Sequence, residues 1–447
     1  MDETAALARF AAELPASSIP KDVRHASSRC LLDYLGIGIA AHSEPAVRIA
    51  TEVARIGGGK PQASLLGGGR ISLVEAATVN GVAAHVLDFD DTHEPTILHG
   101  TTPVMSAALA AAEWVGASGV DLLAAHAVGF DVAARVALAV NPEHYDQGFH
   151  VTGTAGAIGA AAAAGRLLRL DAEQMAHALS TAAAQAAGLR EMFGSMTKSL
   201  HAGKAAANGL YSALLAQRGW ISAPAGLEGR RGYWAVLSSR SDPTIATVAL
   251  GEDWELRRNG LKPYACGVVS HPTIDAVIGL ARVSGLPSNQ VAEIRARVNP
   301  YVLELMGKRE PCSGLEGKFS IFHCAAIGYV DGSARVRQFS AAAVLRPEVV
   351  ALRRLVRIET DAGLPTSSAA VELVAADGRC WHEYVAAASG TPGNPLTDEQ
   401  VLAKYIDLVE DVLPRASARR LAELALGIEE VSDVREITER FQVTASL

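Results

Sequence analysis

Aromatic residues are scarce in this sequence of 447 residues. Phe, Trp and Tyr together make up 5% of it, whereas apolar residues as a whole make up 49%. Alanine supplies much of the apolar share. Because alanine has the highest helix propensity and little bulk, we expect closely packed helices. A chain of this length is too long for one small core, so two domains are expected.

Cysteine is also rare, and its positions do not suggest a disulfide framework. No two cysteines have the CxxC spacing, and their number is odd. Such a dispersed set suits a reducing cytosol, so a cytoplasmic protein is expected. The five positions are Cys30, Cys266, Cys312, Cys324 and Cys380.

The sequence lacks a basic block and a membrane-spanning run, and no signal peptide is expected. Its net charge of −8 is spread along the chain, which disfavours nucleic acid and anionic membranes as partners. An anionic substrate is compatible with this balance, because a local cluster of cations overrides it. Apolar stretches such as "AIGAAAAAG" are too short to cross a membrane. The opening Met-Asp-Glu has no basic start of a signal peptide.

Apolar residues at helical spacing predict successive helices up to about residue 260. A capping box at Ser72–Glu75 predicts the start of a helix that continues as far as Leu87. The following "DFDDTH" is therefore expected at the C-terminal end of that helix, where the chain turns. Glycine and Asn-Pro steps separate the other helices, which are predicted at 103–116, 120–138, 152–168, 172–188 and 199–217.

The character of the sequence changes after Pro272. One more helix is predicted at 272–284, and alternating apolar and polar residues predict strands at 293–300 and 353–360. Two further alternating runs flank Asp377-Gly378, which predicts a hairpin with a type I′ turn.

These patterns predict a mainly α fold with an inserted domain. Residues 266–394 are expected to form a smaller α+β domain. After Pro395, a capping box at Thr397–Gln400 predicts further helices, which we expect to pack back on the first ones. The large all-helical domain is then built from both chain ends, 1–265 plus 395–447.

The first candidate site is "DFDDTHEPTILHG" at 88–100, which is rich in carboxylates and imidazoles. As a metal site it offers Asp90, Asp91, His93 and His99, but it lacks HExxH or EF-hand spacing, so no metal is predicted. Close carboxylates repel each other, which shifts their pKa values and suits acid–base chemistry. An Asp-rich turn at a helix end explains the same residues without any chemistry.

The second candidate is "MTKSLHAGKAAANGL", in which Lys198, His201 and Lys204 are spaced by three residues. The first two share a helix face if the helix begins early enough. Cations this close lower each other's pKa, which favours a neutral lysine base or a carboxylate pocket. A basic helix start facing solvent is the alternative. It is disfavoured because cations there oppose the helix dipole.

The third candidate is "NPEHYDQGFHVTGTAGAIG", where His144, Tyr145 and His150 lie in a loop before a helix rich in small residues. The spacing of its glycines is not GxGxxG and no strand precedes it, so a dinucleotide site is rejected. For the loop residues, an ordinary turn explains the pattern as well as a site does.

Two further stretches carry isolated candidates. In "LKPYACGVVSHP", Lys262 and His271 flank the predicted domain junction, where pockets often form. Cys266 has no nucleophile motif around it and is interpreted as a small buried residue. In "EGKFSIFHCAA", His323 is a single histidine in an apolar segment, a pattern more typical of a core residue.

Taken in order along the chain, seven stretches resemble the MmgE/PrpD family. That family includes 2-methylcitrate dehydratase, cis-aconitate decarboxylase and iminodisuccinate epimerase. The resemblance covers nearly the whole chain and is more specific for family than for reaction. It rests on "LLDYLGIGIAAHSEP", "VNGVAAHVLDFDDTH", "LHGTTPV", "GFHVTGTAGAIGAAAAAGRLLRL", "MTKSLHAGKAAANG", "LKPYACGVVSHPTIDA" and "EGKFSIFH".

The resemblance implies a helical domain made from both chain ends, an inserted α+β domain and a homodimer. It also implies an active site between the domains that needs no metal or organic cofactor. By position in the motifs, the implied site residues are Asp88, Thr92, His99, His150, Lys198 and Lys262. The family's dehydratases and decarboxylases are expected to carry a tyrosine where this sequence has His323, and this difference points away from both activities.

The reactions of the family share a carbanion beside a carboxylate, which a site stabilises with cations and with a positioned acid or base. Our leading hypothesis is a cofactor-independent epimerase of an iminodisuccinate-like dicarboxylate. In it, Lys198 and Tyr145 exchange the proton on opposite faces of the stereocentre. His99 fixes a carboxylate, and Asp88 orients His99 or Lys198. The other expected substrate-binding or orienting residues are Thr92, His150, His201, Lys262 and His323.

Three alternatives stay open. The first is a dehydratase or decarboxylase of a citrate- or aconitate-like acid, which would use the same pocket. The second is a non-catalytic helical scaffold, which would leave Lys198 solvated. The third is a pyridoxal phosphate enzyme with Lys198 as its Schiff base, but no phosphate-binding glycine loop supports it. The expected partner is a small di- or tricarboxylate.

Overall fold

The computed structural model describes residues 2–441 and 443. Over these residues the chain forms 20 α-helices and a few short strands. This confirms the prediction of a mainly α fold. Within the described ranges, no helix has the length and apolar character that crossing a membrane requires.

The first compact unit takes its described residues from Met1–Val86, Asp90–Asn259 and Thr397–Leu447. Before residue 261 its chain forms α1 (Glu3–Glu13), α2 (Lys21–Ala40), α3 (Pro45–Ile56), β1 (Ala63–Ser64), β2 (Arg70–Ile71), α4 (Leu73–Val86), β3 (Thr92–His93), α5 (Thr101–Val115), α6 (Gly119–Leu138), α7 (Glu143–Asp146), α8 (Val151–Leu167), α9 (Ala172–Ala183), α10 (Thr197–Gln217), α11 (Tyr233–Val236) and β4 (Asn259–Gly260).

Small residues bring the central helices of this unit into close contact. A Cβ atom added at Gly81 of α4 would lie 2.6 Å from the Cα of Gly203 of α10, which no real side chain tolerates. The backbones of α4 and α10 can therefore approach only because both positions lack a side chain. This close crossing places the last turn of α4 beside the first turns of α10.

The helices of this unit for which limits were predicted lie within two residues of those limits, except α9, which is shorter than predicted. It ends at Ala183 rather than near 188. The chain then turns so that the carbonyl of Gly188 accepts a hydrogen bond from the amide of His150 (3.0 Å). Gly188 has a φ of 154°. This long-range pairing ends the helix, although its residues have helical propensity.

The second compact unit comprises Leu87–Phe89 and Gly260–Leu396. Its elements are α12 (His271–Ser284), β5 (Val291–Val298), α13 (Pro300–Met306), α14 (Gly314–Gly317), α15 (Ile321–Asp331), α16 (Ala341–Val344), α17 (Pro347–Arg353), β6 (Val356–Thr360), β7 (Ala369–Ala375) and β8 (Cys380–Val385).

The four strands of this unit form one mixed sheet in the order β6-β5-β7-β8. β5 is parallel to β6 and antiparallel to β7, which is antiparallel to β8. The loop between β7 and β8 differs from the predicted type I′ turn. That turn needs two residues with positive φ, whereas Gly378 has a φ of 87° and Asp377 does not have a positive φ. The amide of Ala375 donates to the carbonyl of Arg379, so the loop contains three residues.

The last helices, α18 (Asp398–Val409), α19 (Arg415–Leu426) and α20 (Arg435–Thr438), belong to the first unit. The predicted capping box is present, since the Thr397 and Gln400 side chains each bond the other's backbone amide. Lys404 of α18 forms a buried ion pair of 2.6 Å with Asp33 of α2. The predicted domain limits stay a prediction, because compact units are defined by contacts and not by independent folding.

Candidate active site

The chain leaves α4 through an irregular loop, as the sequence predicted for "DFDDTH". Asp88 and Ile97 both take the left-handed backbone conformation, with φ of 51° and 58°. Non-glycine residues adopt it at a cost, which the surrounding structure must offset. The loop therefore presents its polar side chains in fixed directions.

The carboxylate of Asp90 lies beside two histidines of the first unit, His85 and His99. Its Oδ2 accepts hydrogen bonds from Nδ1 of His85 (2.7 Å) and from the hydroxyl of Thr102 (2.8 Å). Nδ1 of His99 lies 3.6 Å from the same oxygen. All four side chains are buried. Because a carboxylate only accepts, Nδ1 of His85 carries a proton, and Nε2 is the nitrogen that it presents to the interior.

His99 is held by the main chain of the loop. Its Nδ1 donates to the backbone carbonyl of Asp91 (2.7 Å), and its backbone amide donates to the hydroxyl of Thr152 (3.1 Å). The hydroxyl of Thr92 lies 3.4 Å from Nδ1. These bonds fix the tautomer and orientation of the ring, so Nε2 is the nitrogen that gains or loses a proton.

Asp91 is a buried carboxylate beside the start of α5. It accepts from the hydroxyl of Thr101 (2.6 Å) and from the side-chain amide of Asn259 (2.7 Å). Burial raises the pKa of Asp91 to about 7. The hydrogen bond from Thr101 opposes this shift, and the negative charge of Asp90 adds to it. The adjacent carboxyl groups of Asp90 and Asp91 thus differ in their partners. Asp91 accepts from a hydroxyl and an amide, whereas Asp90 pairs with imidazoles.

His150 and His201 form a second pair of imidazoles. Their Nδ1 atoms lie 3.0 Å apart, so one nitrogen donates and the other accepts. Burial lowers the pKa of His201 to about 4, and it also holds the pKa of His150 well below its usual range. The positive charges of His85 and Lys198 act in the same direction on both rings. Both histidines are therefore neutral near pH 7.

Lys198 and His201 share a face of α10, as the sequence predicted. The helix begins at Thr197, and Lys198 is 7% exposed. Its Nζ lies 5.1 Å from the centre of the Phe193 ring, a distance that suits a cation–π contact. Lys204 lies on the exposed side of the same helix. The structure thus brings two of the three predicted basic residues to the site, and Lys204 is not among them.

The rings of four histidines come together at this place. His85 lies 4.8 Å from His99 and 5.6 Å from His150, measured between ring centres, and His150 lies 5.3 Å from His201. Nε2 of His85 and Nε2 of His150 are buried, and neither has a hydrogen-bond partner within the described part of the chain. We call His85, His99, His150, His201 and Lys198 the basic cluster.

One group of side chains has ligand atoms that lie close together. Among the described residues, the ligand atoms of His85, Asp90 and His99 lie within 4.8 Å of one another. Nδ1 of both histidines donates to an oxygen acceptor. A nitrogen that donates a hydrogen bond has no lone pair for a metal, so only Nε2 of each ring is left as a ligand atom. That the site needs no metal stays a prediction.

In the second unit, Asp88 pairs with Lys262. The Nζ of Lys262 donates to Oδ1 and to the backbone carbonyl of Asp88, each at 3.1 Å, and both side chains are buried. Asp88 had been expected to orient His99 or Lys198. That role of Asp88 stays a prediction. Nδ1 of His99 donates to the Asp91 carbonyl and lies 3.6 Å from Oδ2 of Asp90.

His323 is a core histidine of the second unit. Its Nε2 donates to the carbonyl of Gln338 (3.1 Å), and its ring contacts Phe339 edge-on at 5.5 Å between centres. Burial lowers the pKa of His323 to about 4. The lone-histidine interpretation of the sequence fits this environment. The expected role of His323 in binding or orienting a substrate stays a prediction.

Tyr145 lies in the short helix α7, as part of the predicted loop. The guanidinium of Arg190 lies 4.1 Å from its ring centre and also donates to its backbone carbonyl (2.9 Å). The neighbouring His144 donates from Nδ1 to the carbonyl of Leu237 (2.6 Å) and accepts at Nε2 from Thr154 (2.8 Å). Burial lowers the pKa of His144, so it is a neutral structural residue.

Two isolated candidates are structural as well. Cys266 is fully buried, as predicted. His271 is also buried, and its Nε2 lies 3.3 Å from the backbone carbonyl of Cys266. This contact fixes the turn that leads into α12.

The sequence analysis missed His85 and Lys318 and left Asp90 to turn structure. His85 occupies the last turn of α4, within the quoted stretch "VNGVAAHVLDFDDTH". Its distance of five residues from Asp90 gave a weak signal, because only the turn after Val86 brings the two side chains together. Lys318 is buried in the second unit, where its Nζ donates to the carbonyls of Leu87 and Ala265.

Comparison with known proteins gives matches to two family models and to individual enzymes, and each kind of match covers most of the chain. The model of the MmgE/PrpD N-terminal domain matches residues 5–246, and that of the MmgE/PrpD C-terminal domain matches residues 264–430. A cis-aconitate decarboxylase of Aspergillus terreus is 27% identical over 98% of this chain and 95% of its own length. The human cis-aconitate decarboxylase is also 27% identical, over 92% of this chain and 89% of its own. The mouse enzyme is 26% identical over 92% and 88%.

These relatives overturn the epimerase hypothesis. Each is named for loss of carbon dioxide, a lyase reaction, and not for inversion of a stereocentre. The hypothesis leaned on His323 in place of a tyrosine, a single position that is buried against Phe339. The proton exchange assigned to Tyr145 belonged to that hypothesis, and any catalytic role of Tyr145 stays a prediction.

Proposed function

The chain belongs to the MmgE/PrpD family, and from that premise we propose that it releases carbon dioxide from a citrate- or aconitate-like polycarboxylate. It is an enzyme, since the full-length relatives are enzymes. The finer assignment is to the lyases rather than the isomerases. The observation that carries the proposal is the buried basic cluster.

The charge of the basic cluster favours an anionic substrate. A di- or tricarboxylate brings two or three negative charges, and a buried site must supply cations or hydrogen-bond donors for them. Lys198 supplies a cation that is 7% exposed. The imidazoles around it are neutral or positive but never negative. An anionic substrate is therefore the class of ligand that this cluster suits.

Two histidine nitrogen atoms of the cluster are available to bind a substrate. Nε2 of His85 and Nε2 of His150 are buried without a hydrogen bond within the described residues. A buried polar atom in this state costs about 1–3 kcal/mol. A carboxylate or hydroxyl group of a bound substrate would supply the missing partners. Part of the binding free energy would then come from relieving this cost.

The chemistry follows from the bond that breaks. When a carboxylate leaves as carbon dioxide, the electron pair of the carbon–carbon bond stays on the remaining carbon. A neighbouring double bond or carboxylate delocalises this carbanion, and a proton must then add to carbon. The site needs a fixed cation near the developing charge and an acid within reach.

Lys198 is proposed as that acid. Its ammonium group would stabilise the carbanion and then transfer a proton to it. The ring of Phe193 on one side and the helix α10 on the other restrict where the group can point. His99, with its tautomer fixed by the Asp91 carbonyl, would hold a substrate carboxylate through Nε2.

Other residues keep the roles that the family resemblance implies, as predictions. Thr92 is expected to contact the substrate, and its hydroxyl lies 3.4 Å from Nδ1 of His99. Lys262 and Asp88 form a buried ion pair, so we expect them to act at the site together rather than as separate side chains. The homodimer and the cytoplasmic location also stay predictions.

The proposal is tested by incubating the purified protein in D₂O with cis-aconitate, citrate and 2-methylcitrate in separate samples. We expect an unsaturated dicarboxylate from one of them that carries a single deuterium at the carbon that lost carbon dioxide, or at its allylic partner. Proton NMR follows the product. Loss of water without loss of carbon dioxide would assign a dehydratase instead. No turnover of any of the three acids would contradict the proposal.

A further inference from the structure

We propose that His93 and Glu255 form a positioning pair, which holds the turn at 93–98 closed and thereby sets the orientation of His99. His93 belongs to the stretch "DFDDTHEPTILHG", but it has no part in the basic cluster or in the proposed reaction. The orientation of His99 is a property of the free protein, and only its effect on catalysis rests on the proposed function.

Both side chains of the pair are buried in the first unit. His93 is 0% exposed and Glu255 is 3% exposed. Nε2 of His93 donates to Oε2 of Glu255 (3.0 Å), since a carboxylate only accepts. Burial lowers the pKa of His93, although the hydrogen bond with Glu255 opposes this shift. The ring is therefore neutral near pH 7, with its proton on Nε2 and a lone pair on Nδ1.

The lone pair on Nδ1 connects His93 to the far side of the turn. It accepts from the hydroxyl of Thr96 (2.8 Å), whose oxygen in turn accepts from the backbone amide of Leu98 (3.4 Å). The backbone closes the same turn, because the amide of His93 donates to the carbonyl of Leu98 (2.8 Å). Ile97 takes the left-handed conformation there, which is costly for a β-branched residue. The side-chain bonds of His93 help to offset that cost.

Glu255 is itself fixed by the rest of the first unit. Its backbone amide donates to Oδ1 of Asp131 in α6 (2.8 Å), and Arg258 donates to its Oε1 (2.7 Å). The carbonyl of Arg258 accepts from the amide of Glu94 (3.1 Å), the residue after His93. The turn is therefore anchored to α6, whose Asp131 is fully buried.

The closed turn decides where His99 lies. Residues 93 and 98 pair as an antiparallel bridge, so the residues that flank it, Thr92 and His99, come opposite each other. In this position Nδ1 of His99 donates to the carbonyl of Asp91 (2.7 Å) and lies 3.4 Å from the hydroxyl of Thr92. In the proposed lyase, an open turn would release the ring that holds a substrate carboxylate through Nε2.

The test is proton NMR of the free protein with ¹⁵N-labelled histidine. The Nδ1 proton of wild-type His99 should give a resolved signal that exchanges slowly with water, because the carbonyl of Asp91 holds it. The variant His99→Asn identifies this signal. The Nδ1 proton of His144, which the carbonyl of Leu237 holds in the same unit (2.6 Å), is the internal reference.

Two variants open the turn from opposite sides. In Glu255→Leu, which lacks the acceptor for Nε2 of His93, the Nδ1 proton of His99 should exchange about tenfold faster or more, while that of His144 stays slow. Glu255→Gln keeps an oxygen acceptor and should restore slow exchange. Thr96→Val removes the hydroxyl that His93 binds and should act like Glu255→Leu. It decides the test if Glu255→Leu does not fold.

Asp253→Asn is the matched control for the loss of charge beside Arg258. The carboxylate of Asp253 also pairs with Arg258 (2.8 Å), and its side chain is 47% exposed. This variant should leave the exchange of the His99 proton as in the wild type. Unchanged exchange of that proton in either folded turn variant would overturn the proposal. Equally faster exchange at His99 and His144 would overturn it too, because it would show a general loss of stability.

Activity gives a separate readout. If the protein is the proposed lyase, KM for the accepted polycarboxylate should rise about tenfold in Thr96→Val, whereas kcat should change less, because Lys198 keeps its place. Absence of turnover in the wild-type protein would count against the proposed function alone, because the NMR experiment needs no substrate.

Discussion

The Nδ1 atoms of His150 and His201 lie 3.0 Å apart and face each other across the start of α8 and α10. Two imidazoles in this geometry share one proton along the line between them, and the hydrogen bond is lost when both rings are protonated. The hydrogen bond therefore connects the start of α8, where His150 lies, to α10, which carries His201. It also links the protonation of the site to the stability of the first unit.

The first prediction concerns acidification. The pKa of His201 in the folded protein is about 4, below that of an unfolded histidine near 6.5. Between these values the unfolded chain binds more protons, so stability falls as the pH falls from about 6.5 to 4. His201→Gln has no imidazole at this position, so this part of the loss of stability on acidification is absent. The loss of Tm between pH 7 and pH 4.5 should therefore be smaller in the variant than in the wild type.

Lys204→Gln provides the comparison for this experiment, because Lys204 is exposed on the same helix α10 and its replacement removes no imidazole. Lys204→Gln should lose Tm on acidification to about the same extent as the wild-type protein. An equal loss of Tm in His201→Gln and the wild type would show that His201 does not resist protonation.

The second prediction concerns Asp91. Its folded-state pKa of about 7 lies above the value of an unfolded aspartate, so the folded protein binds the extra proton between about pH 4 and 7. The stability that this gives is lost as the pH rises through 7. Asp91→Asn cannot ionise and escapes this loss. Its Tm relative to the wild type should rise between pH 5.5 and pH 8.5, as followed by thermal denaturation, and a constant difference would refute the raised pKa.

The third prediction separates the charge of Lys198 from its proton. Lys198→Arg keeps a cation but holds its proton too tightly to transfer it. We expect kcat with the accepted polycarboxylate to fall by about 10²-fold or more, while KM changes less. Lys198→Met loses both the charge and the proton, so it should show no turnover and should also bind the acid more weakly. Lys204→Met, on the exposed side of the same helix, should behave as wild type, and full activity in Lys198→Arg would show that Lys198 serves only as a charge.

The fourth prediction concerns the crossing of α4 and α10. The new methyl group in Gly81→Ala would meet the Cα of Gly203 at 2.6 Å. Forcing the helices apart should cost about 1–3 kcal/mol and displace His85 relative to Lys198. The measurement is a lower Tm together with lower activity. Gly279→Ala in α12, where nothing lies within 4 Å of the new methyl group, should keep both or raise the Tm slightly.

The helices of the first unit could be predicted from the sequence because their signals are local. The limits of α6, predicted at 120–138 and observed as Gly119–Leu138, follow from an apolar period ended by Asn141-Pro142. The early end of α9 could not be predicted, because it depends on a hydrogen bond between Gly188 and the distant His150.

In the candidate site, too, local features could be predicted from the sequence and long-range contacts could not. The positions of Lys198 and His201 on one helix face follow from their spacing. The partners of Asp88 and Asp90 could not be predicted from spacing. Lys262 is 174 residues from Asp88, and His85 precedes the turn that brings it to Asp90. A pattern in sequence shows which residues can do chemistry, whereas folding decides which of them meet.

The most direct test of the proposed function is the release of labelled carbon dioxide. Purified protein is incubated with uniformly ¹³C-labelled cis-aconitate, and the gas phase is analysed by mass spectrometry beside the Lys198→Met variant. We expect one ¹³CO₂ for each molecule of acid consumed by the wild-type protein, and none from the variant. Consumption of the acid without ¹³CO₂, or equal release by the variant, would contradict it.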